Sequence, residues 1–329
     1  MAAGGSYVLA SILSMKITKM PQSLVNNEYR MKVPYKLKLG QSRIFHKLPS
    51  GLNMEVIFQK GMRNQQTEKS PPLVFVHGSF HAAWCWAEHW LPFFSQNGFD
   101  SYALSLLGQG ESDDPDDTVA GSLQTHAADV ADFIKNQTTL SPVLIGHSFG
   151  GLIVQYYIAS LEKDSSGSLA GAVLVCSVPP AGNSGLVWRY LFTKPVAAFK
   201  VTMSLAAKAF QTSLPLCKET FFLCKMDDHL VLRYQELMTE SSRMPLFDLR
   251  KLNASLPVAS VPNLSTRVLV MGAVDDFIVD AKGLDETGSF YDVEPVRVEG
   301  VAHDVMLDPL WEKGAQLIKS WIQNLDAKI

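Results

Sequence analysis

The sequence predicts an α/β architecture, a mostly parallel sheet of eight strands covered by helices on both faces, with a helical insert before the last two strands. Three observations carry this. Short apolar runs of strand length alternate with amphipathic helical text from residue 73 onward. The alternation stops over residues 181–266 and then resumes. A glycine-rich strand–turn–helix passage lies at residues 142–151, in the middle of the first alternating run.

The elements follow in order. Arg43–Lys47 and Met54–Lys60 are extended runs around Pro49-Ser50-Gly51-Leu52-Asn53, which reads as a β-hairpin. A polar loop from Gly61 to Ser70 is closed by Pro71 and Pro72. Leu73–His77 is continuously apolar up to its last residue, as a strand buried on both faces must be. Trp84–Asn97 is helical text, Asp100–Leu106 a strand and Ala120–Asn136 a helix with apolar spacing. Pro142–Ile145 is the next strand and Gly150–Glu162 the next helix; Ala170–Val178 is again a strand. Helical pieces are expected at about 185–210, 218–239 and 243–252. Then come strand Arg267–Met271, helix Ala281–Tyr291, strand Glu294–Val298 and a closing helix Val305–Ala327. The expected organisation is an N-terminal extension over 1–42, a core formed by 43–180 and 267–329, and a helical lid over 181–266.

Composition narrows the function. Of the 329 residues, 47% are hydrophobic and 19% charged, the balance of a globular protein with a large core. The net charge of −3 argues against nucleic acid as partner. No apolar run reaches the roughly 18 to 20 residues of a membrane span. The cysteines Cys85, Cys176, Cys217 and Cys224 show no CxxC pair, so they read as free thiols in a reducing compartment, with no metal site. Charge is unevenly distributed: residues 1–47 hold eight Lys and Arg against one acid, Glu28. The first 27 residues lack acids and are rich in Ser, Ala and Met, which is the composition of an organelle transit peptide. An uncleaved extension in a cytoplasmic protein is the bland alternative. A secretory signal fits less well, because no basic stretch precedes the short apolar run Tyr7–Met15.

The chemistry centres on Gly146-His147-Ser148-Phe149-Gly150-Gly151. Serine is a weak nucleophile until a base takes its proton. A sharp strand-to-helix turn lifts its Oγ above the sheet, and Gly146 and Gly150 keep the crowded turn free of side chains. Ser148 also stands at a helix N-terminus, where free N–H groups and the helix dipole favour negative charge. Acyl transfer at such a serine develops an oxyanion, which backbone N–H groups stabilise. The loop after Phe75-Val76-His77-Gly78 is expected to give one donor, the N–H of Ser79. The N–H of Phe149 is expected to give the other. Phe80 and His81 follow on the same loop and are candidates for the substrate pocket. His77 is expected to order the loop by hydrogen bonding.

The base must be a histidine oriented by an acid. Of the eight histidines, His303 lies on a loop directly after a late strand, in Gly300-Val301-Ala302-His303-Asp304. The acid is expected after strand Arg267–Met271, in Gly272-Ala273-Val274-Asp275-Asp276-Phe277-Ile278-Val279. Asp276 is preferred, because one free position and two branched apolar residues follow it; Asp275 is the alternative.

With these residues placed, the chain resembles the α/β-hydrolase superfamily over about residues 43–329. The likeness rests on VHGSF (76–80), GQGES (108–112), GHSFGG (146–151), GAVDDFIVD (272–280) and GVAHDVMLD (300–308). It implies that superfamily's fold and its Ser…Asp…His order, and serine at position 148 is unlike the aspartate of epoxide hydrolases and haloalkane dehalogenases. The run from His77 to Trp86 also looks like plant methyl esterases and hydroxynitrile lyases. GQGES and the long insert look more like bacterial and plastid-type lysophospholipase-like hydrolases. A plant origin fits both likenesses, and with the leader it makes the chloroplast or another organelle the expected location, with the cytoplasm as the alternative.

The insert is rich in Phe, Leu and Met: Phe192, Phe199, Met203, Phe210, Phe221, Phe222, Met226, Met238, Met244 and Phe247. Flexible and aromatic side chains of this kind suit a lipophilic pocket as well as ordinary packing. The expected function is cleavage of a carboxylic ester, thioester or lipid acyl ester of an apolar small molecule through Ser148, His303 and Asp276, without metal or organic cofactor. Two rivals share the fold: a lyase using the same Ser148/His303 pair, and a hormone-receptor-like protein that binds with little turnover.

Overall fold

The structure is a computed structural model that describes residues 30–63, 69–164, 167–193, 195–262 and 264–326. Eight strands form one sheet: β1 (Gln41–Lys47), β2 (Asn53–Gln59), β3 (Leu73–Val76), β4 (Ser101–Leu104), β5 (Val143–His147), β6 (Gly171–Val175), β7 (Val268–Ala273) and β8 (Val296–Val298). Their spatial order is β1-β2-β4-β3-β5-β6-β7-β8. The β1–β2 hairpin pairs Lys47 with Asn53 across the Pro49–Leu52 turn. β2 is antiparallel to β1 and β4, and every other pair is parallel. A parallel strand leaves its C-terminal end on the same edge as its neighbours, so loops far apart in sequence meet there.

Each strand residue serves one of two cores, because successive side chains point to opposite faces. Leu73, Phe75, Val143, Ile145, Val173 and Val175 pack under α1 (Trp84–Ala87), α2 (Trp90–Gln96) and α11 (Trp311–Asp326). Val74, Val76, Leu144, Ala172, Leu174 and Val270 pack under α3 (Leu123–Gln137), α4 (Phe149–Asp164) and Leu284 of α10 (Ala281–Phe290). Burial on both faces explains why these strands read as unbroken apolar runs.

The helical text at 84–97 is two short helices rather than one. Pro92 has no N–H to give the carbonyl of Glu88, and its ring would collide with that carbonyl, so the first helix ends there. The closing helix starts at Trp311 rather than Val305. Pro309 precedes it, and the Asp308 carbonyl accepts the Trp311 N–H at 2.9 Å.

Residues 30–40 lie against the core: Met31 and Tyr35 are 2% and 4% exposed. The last part of the extension expected over 1–42 therefore belongs to the globular unit, and residues 1–29 lie outside the described residues. Tyr35 Oη donates to Glu88 at 3.1 Å, and the Lys38 ammonium is 3.2 Å from the same carboxylate. Arg233 of the insert makes a bidentate pair with it at 2.9 and 3.0 Å. Burial works to raise the Glu88 carboxyl, but these cations outweigh it and hold it below its usual range.

Between β6 and β7 the chain forms α5 (Ser184–Thr193), α6 (Pro195–Leu205), α7 (Leu214–Phe221), α8 (Asp228–Ser241) and α9 (Leu249–Ala254). The piece expected at 218–239 is broken at Phe222–Asp227, and the Asp227 carbonyl accepts the first N–H groups of α8, from Leu230 at 3.0 Å and Val231 at 3.1 Å. Arg243 binds the carbonyls of Gly110 and Ser112, which secures the end of α8 to the GQGES loop. Phe210, Phe221, Phe222, Met226, Met238 and Phe247 of the insert are buried. Most of its aromatic and Met content is thus packing, whereas Phe192, Phe199 and Met203 are exposed. Among the described residues, no helix is long and apolar enough to cross a membrane.

Candidate active site

Ser148 joins β5 to α4 with φ of +53°, a conformation L-residues avoid at a cost of about 1–2 kcal/mol. Backbone hydrogen bonds hold it there. Its N–H donates to the Val175 carbonyl at 3.1 Å, and its own carbonyl accepts from Gly151 at 3.0 Å and Val178 at 3.1 Å. The turn has no room for side chains: a Cβ at Gly146 would stand 2.5 Å from the Gly150 carbonyl oxygen. At Gly150 it would run into the carbonyls of Val76 and His77. Strain of this kind persists where the surroundings over-determine it. Ser148 itself is 7% exposed.

The loop after β3 lies beside this turn. A Cβ on Gly78 would come within 2.8 Å of the Ser148 Cβ, so only glycine lets the two backbones approach. His77 orders the loop. Its Nε2 accepts the Leu106 N–H at 3.0 Å, which places the ring proton on Nδ1, 2.7 Å from the Gly78 carbonyl. Burial pushes the His77 imidazole down to about 3, so it stays neutral with both ring nitrogens engaged inside the protein. Among the described residues, neither the Ser79 nor the Phe149 N–H has an acceptor within the protein. Phe80 has φ of +68° and packs its ring 4.9 Å from Phe210 of the insert. His81, expected beside a pocket, is 1% exposed and turned inward: its Nε2 lies 2.9 Å from the Asp304 carboxylate. A loop residue whose both ring nitrogens are engaged inside the protein has no atom left for a ligand.

Asp276 and His303 follow the ends of β7 and β8. Asp276 Oδ1 accepts the N–H groups of Ile278 at 2.7 Å and Val279 at 2.9 Å, a turn that the aspartate closes itself. This aims the carboxylate at His303, whose Nδ1 is 3.0 and 2.9 Å from its two oxygens. Asp275, one residue earlier, is exposed and makes no such contact. Burial works to lower the His303 imidazole, but Asp276 outweighs it and, with Asp304, raises it above its usual value. The His147 Nε2–H donates to the His303 carbonyl at 3.0 Å, so the residue before Ser148 holds the histidine loop. Among the described residues, the Ser148 hydroxyl has no hydrogen-bonded partner; such bonds commonly tighten only once substrate is bound.

Two features have no signature in the sequence. Cys176, at φ of +44°, places its thiol within 4.8 Å of ligand atoms of Asp276 and His303. Burial, then the field of Asp276, pushes that thiol well up, so it stands beside the acid as a neutral S–H. A metal on these three groups would have to displace the Asp276–His303 hydrogen bonds and a proton from the thiol. The second feature is Asp304, fully buried next to His303 and bonded to His81.

A family model described as "Alpha/beta hydrolase family" matches residues 73–311. A non-heme chloroperoxidase of Streptomyces lividans is 39% identical over 109 residues, 33% of this chain and 37% of that protein. The chain therefore matches well under half the length of that relative. Among solved structures, the esterase of Exiguobacterium antarcticum superposes with a TM-score of 0.66 at 17% identity, over 86% of this chain and all (100%) of the other. The naproxen esterase of Bacillus subtilis superposes with a TM-score of 0.62 at 14% identity, over 87% of this chain and 93% of the other. Such low identity speaks for the fold; the family match, over most of the chain and with every site loop inside it, goes further. This chain belongs to the alpha/beta hydrolase family.

Proposed function

We propose that the protein is a serine hydrolase that cleaves a carboxylic ester with an apolar acid or alcohol part. The observation that carries this is the bidentate contact of Asp276 with His303 Nδ1 at 2.9–3.0 Å, on a loop whose His303 carbonyl is bonded by His147, the neighbour of a serine held at φ of +53°. The contact keeps the proton on Nδ1 and leaves Nε2 as the base. Ser148 Oγ attacks the ester carbonyl while its proton passes to His303 Nε2. Asp276 stabilises the imidazolium that results. The oxyanion is received by the N–H groups of Ser79 and Phe149, for which no acceptor among the described residues competes. Each such donor lowers the barrier by about 3 kcal/mol. The imidazolium then gives its proton to the departing alkoxide. In the second half His303 takes a proton from water, whose oxygen attacks the acyl-enzyme, and Ser148 leaves with that proton. An apolar substrate is favoured by the half-buried Phe80 and Phe149, which adjoin the two donors.

The test uses the full chain with p-nitrophenyl esters of graded acyl length and a fluorophosphonate probe. Turnover and a mass adduct on the Ser148 peptide are expected, both lost in Ser148→Ala. Absence of both in the wild type would sink the hydrolase reading.

A further inference from the structure

Next to His303 lies a second carboxylate–histidine contact that the reaction above does not use. Asp304 has 0% exposure, and a lone carboxylate there would cost several kcal/mol. Its Oδ2 is 2.9 Å from His81 Nε2, and its Oδ1 is 3.7 Å from His147 Nε2. His147 already gives its Nε2–H to the His303 carbonyl at 3.0 Å. The counter-charge therefore falls to His81. The other ring nitrogen, His81 Nδ1, is 2.9 Å from the Ser79 carbonyl, which can only accept. A ring with an acceptor at each nitrogen must carry both protons. The surroundings suit a cation: the Trp84 ring stacks its face on His81 at 5.5 Å. Burial, with the field of Asp304 adding to it, keeps the nearby thiols of Cys85, Cys176 and Cys217 protonated.

The placement gives this pair a purpose. Asp304 follows His303 in the chain, and its N–H is held by the Phe221 carbonyl of α7 at 3.0 Å. His81 holds the carbonyl of Ser79, whose N–H is the first oxyanion donor in the proposed reaction. One contact thus joins the loop after β3 to the loop after β8, 223 residues apart in the sequence.

We infer that His81 and Asp304 form a buried ion pair that positions the oxyanion loop against the histidine loop, and that both are positioning residues for hydrolysis. This rests on the hydrolase reading, but the charge state of the pair does not. The pair touches neither ester nor nucleophile, so its loss acts on kcat and leaves KM unchanged. A misplacement of about 1 Å costs about 10²-fold.

The experiment has two arms. In the first, Asp304→Asn, His81→Gln and the double variant are compared with wild type in p-nitrophenyl butyrate turnover, normalised to sites titrated by fluorophosphonate. Each single variant is expected to lose about 10²-fold in kcat at constant KM, and the double variant to lose no more than the worse single one, since partners in one contact are not additive. Singles within twofold of wild type, or losses that multiply, would overturn the positioning role. In the second arm, ¹⁵N-histidine NMR of the wild type reads both His81 nitrogens as protonated, and Asp304→Asn removes one proton. A neutral, single-tautomer His81 in the wild type overturns the ion pair, whether or not any variant folds. If the wild type neither labels nor turns over, the hydrolase reading falls and the NMR result still decides the pair.

Discussion

Replacing Asp276 by asparagine tests the proposed activation of Ser148. Asp276 Oδ1 accepts the N–H groups of Ile278 and Val279 at 2.7 and 2.9 Å. Only an oxygen satisfies two N–H donors, so the asparagine oxygen takes that place and its NH₂ group takes the place of Oδ2, now 2.9 Å from His303 Nδ1. An NH₂ group facing Nδ1 forces the imidazole to accept there and to carry its proton on Nε2. That nitrogen then has no lone pair for the serine proton. The fold and the turn survive, because the two backbone bonds remain. The expected loss is about 10⁴-fold in kcat, the size associated with an imidazole in the wrong tautomer. In barrier terms this is about 5.4 kcal/mol. Asp275→Asn is the internal control: it is exposed and makes no contact with His303, so kcat should stay within about twofold. The assay is p-nitrophenyl butyrate turnover on titrated sites, with a thermal midpoint for each variant. Asp276→Asn within tenfold of wild type at equal folding, or an equal loss in Asp275→Asn, would refute the tautomer argument.

Two other outcomes follow from the same geometry. Gly78→Ala brings a Cβ within 2.8 Å of the Ser148 Cβ and 3.1 Å of the His147 carbonyl oxygen, so labelling by fluorophosphonate should fall by at least about 10²-fold while the far-UV spectrum is retained; normal labelling would mean that the loop sits elsewhere. Burial holds His77 and His126 down to about 3 and about 4, below the unfolded value near 6.5. The unfolded chain takes up these protons first, so the stability they allow is complete above about pH 6.5 and is lost as pH falls toward their folded values. At pH 5 the loss is about 2 kcal/mol per histidine. His303, raised in the folded state, works in the opposite direction. His126→Gln should flatten the fall in urea-derived stability between pH 7.5 and 5.0; a fall equal to that of wild type would show that His126 is not held neutral.

Local text was enough for the features that depend on a few consecutive residues. A strand, a turn without side chains and a helix start within ten residues identify Ser148. The parallel sheet follows from strands that are apolar at every position. Longer elements were read less well where one residue changed the outcome, as Pro92 did between α1 and α2. The richness of the insert in Phe and Met was legible, but not its meaning. Phe210 and Phe221 are buried against Phe80 and His81, whereas Phe192 and Phe199 face outward. Helical spacing describes faces of a helix and says nothing of what each face meets.

The sequence by itself determined the class of fold, the turn that carries Ser148 and the chain order of the candidate site residues, because each depends on local backbone geometry and alternating polarity. Only the tertiary structure decided which of two adjacent aspartates meets His303, since a turn closed by Ile278 and Val279 points Asp276 inward and leaves Asp275 in solvent. It also decided that His81 faces Asp304 and not a ligand. A contact between residues 223 positions apart leaves no periodicity to read, and arises only when β3 and β8 end on the same edge of one sheet.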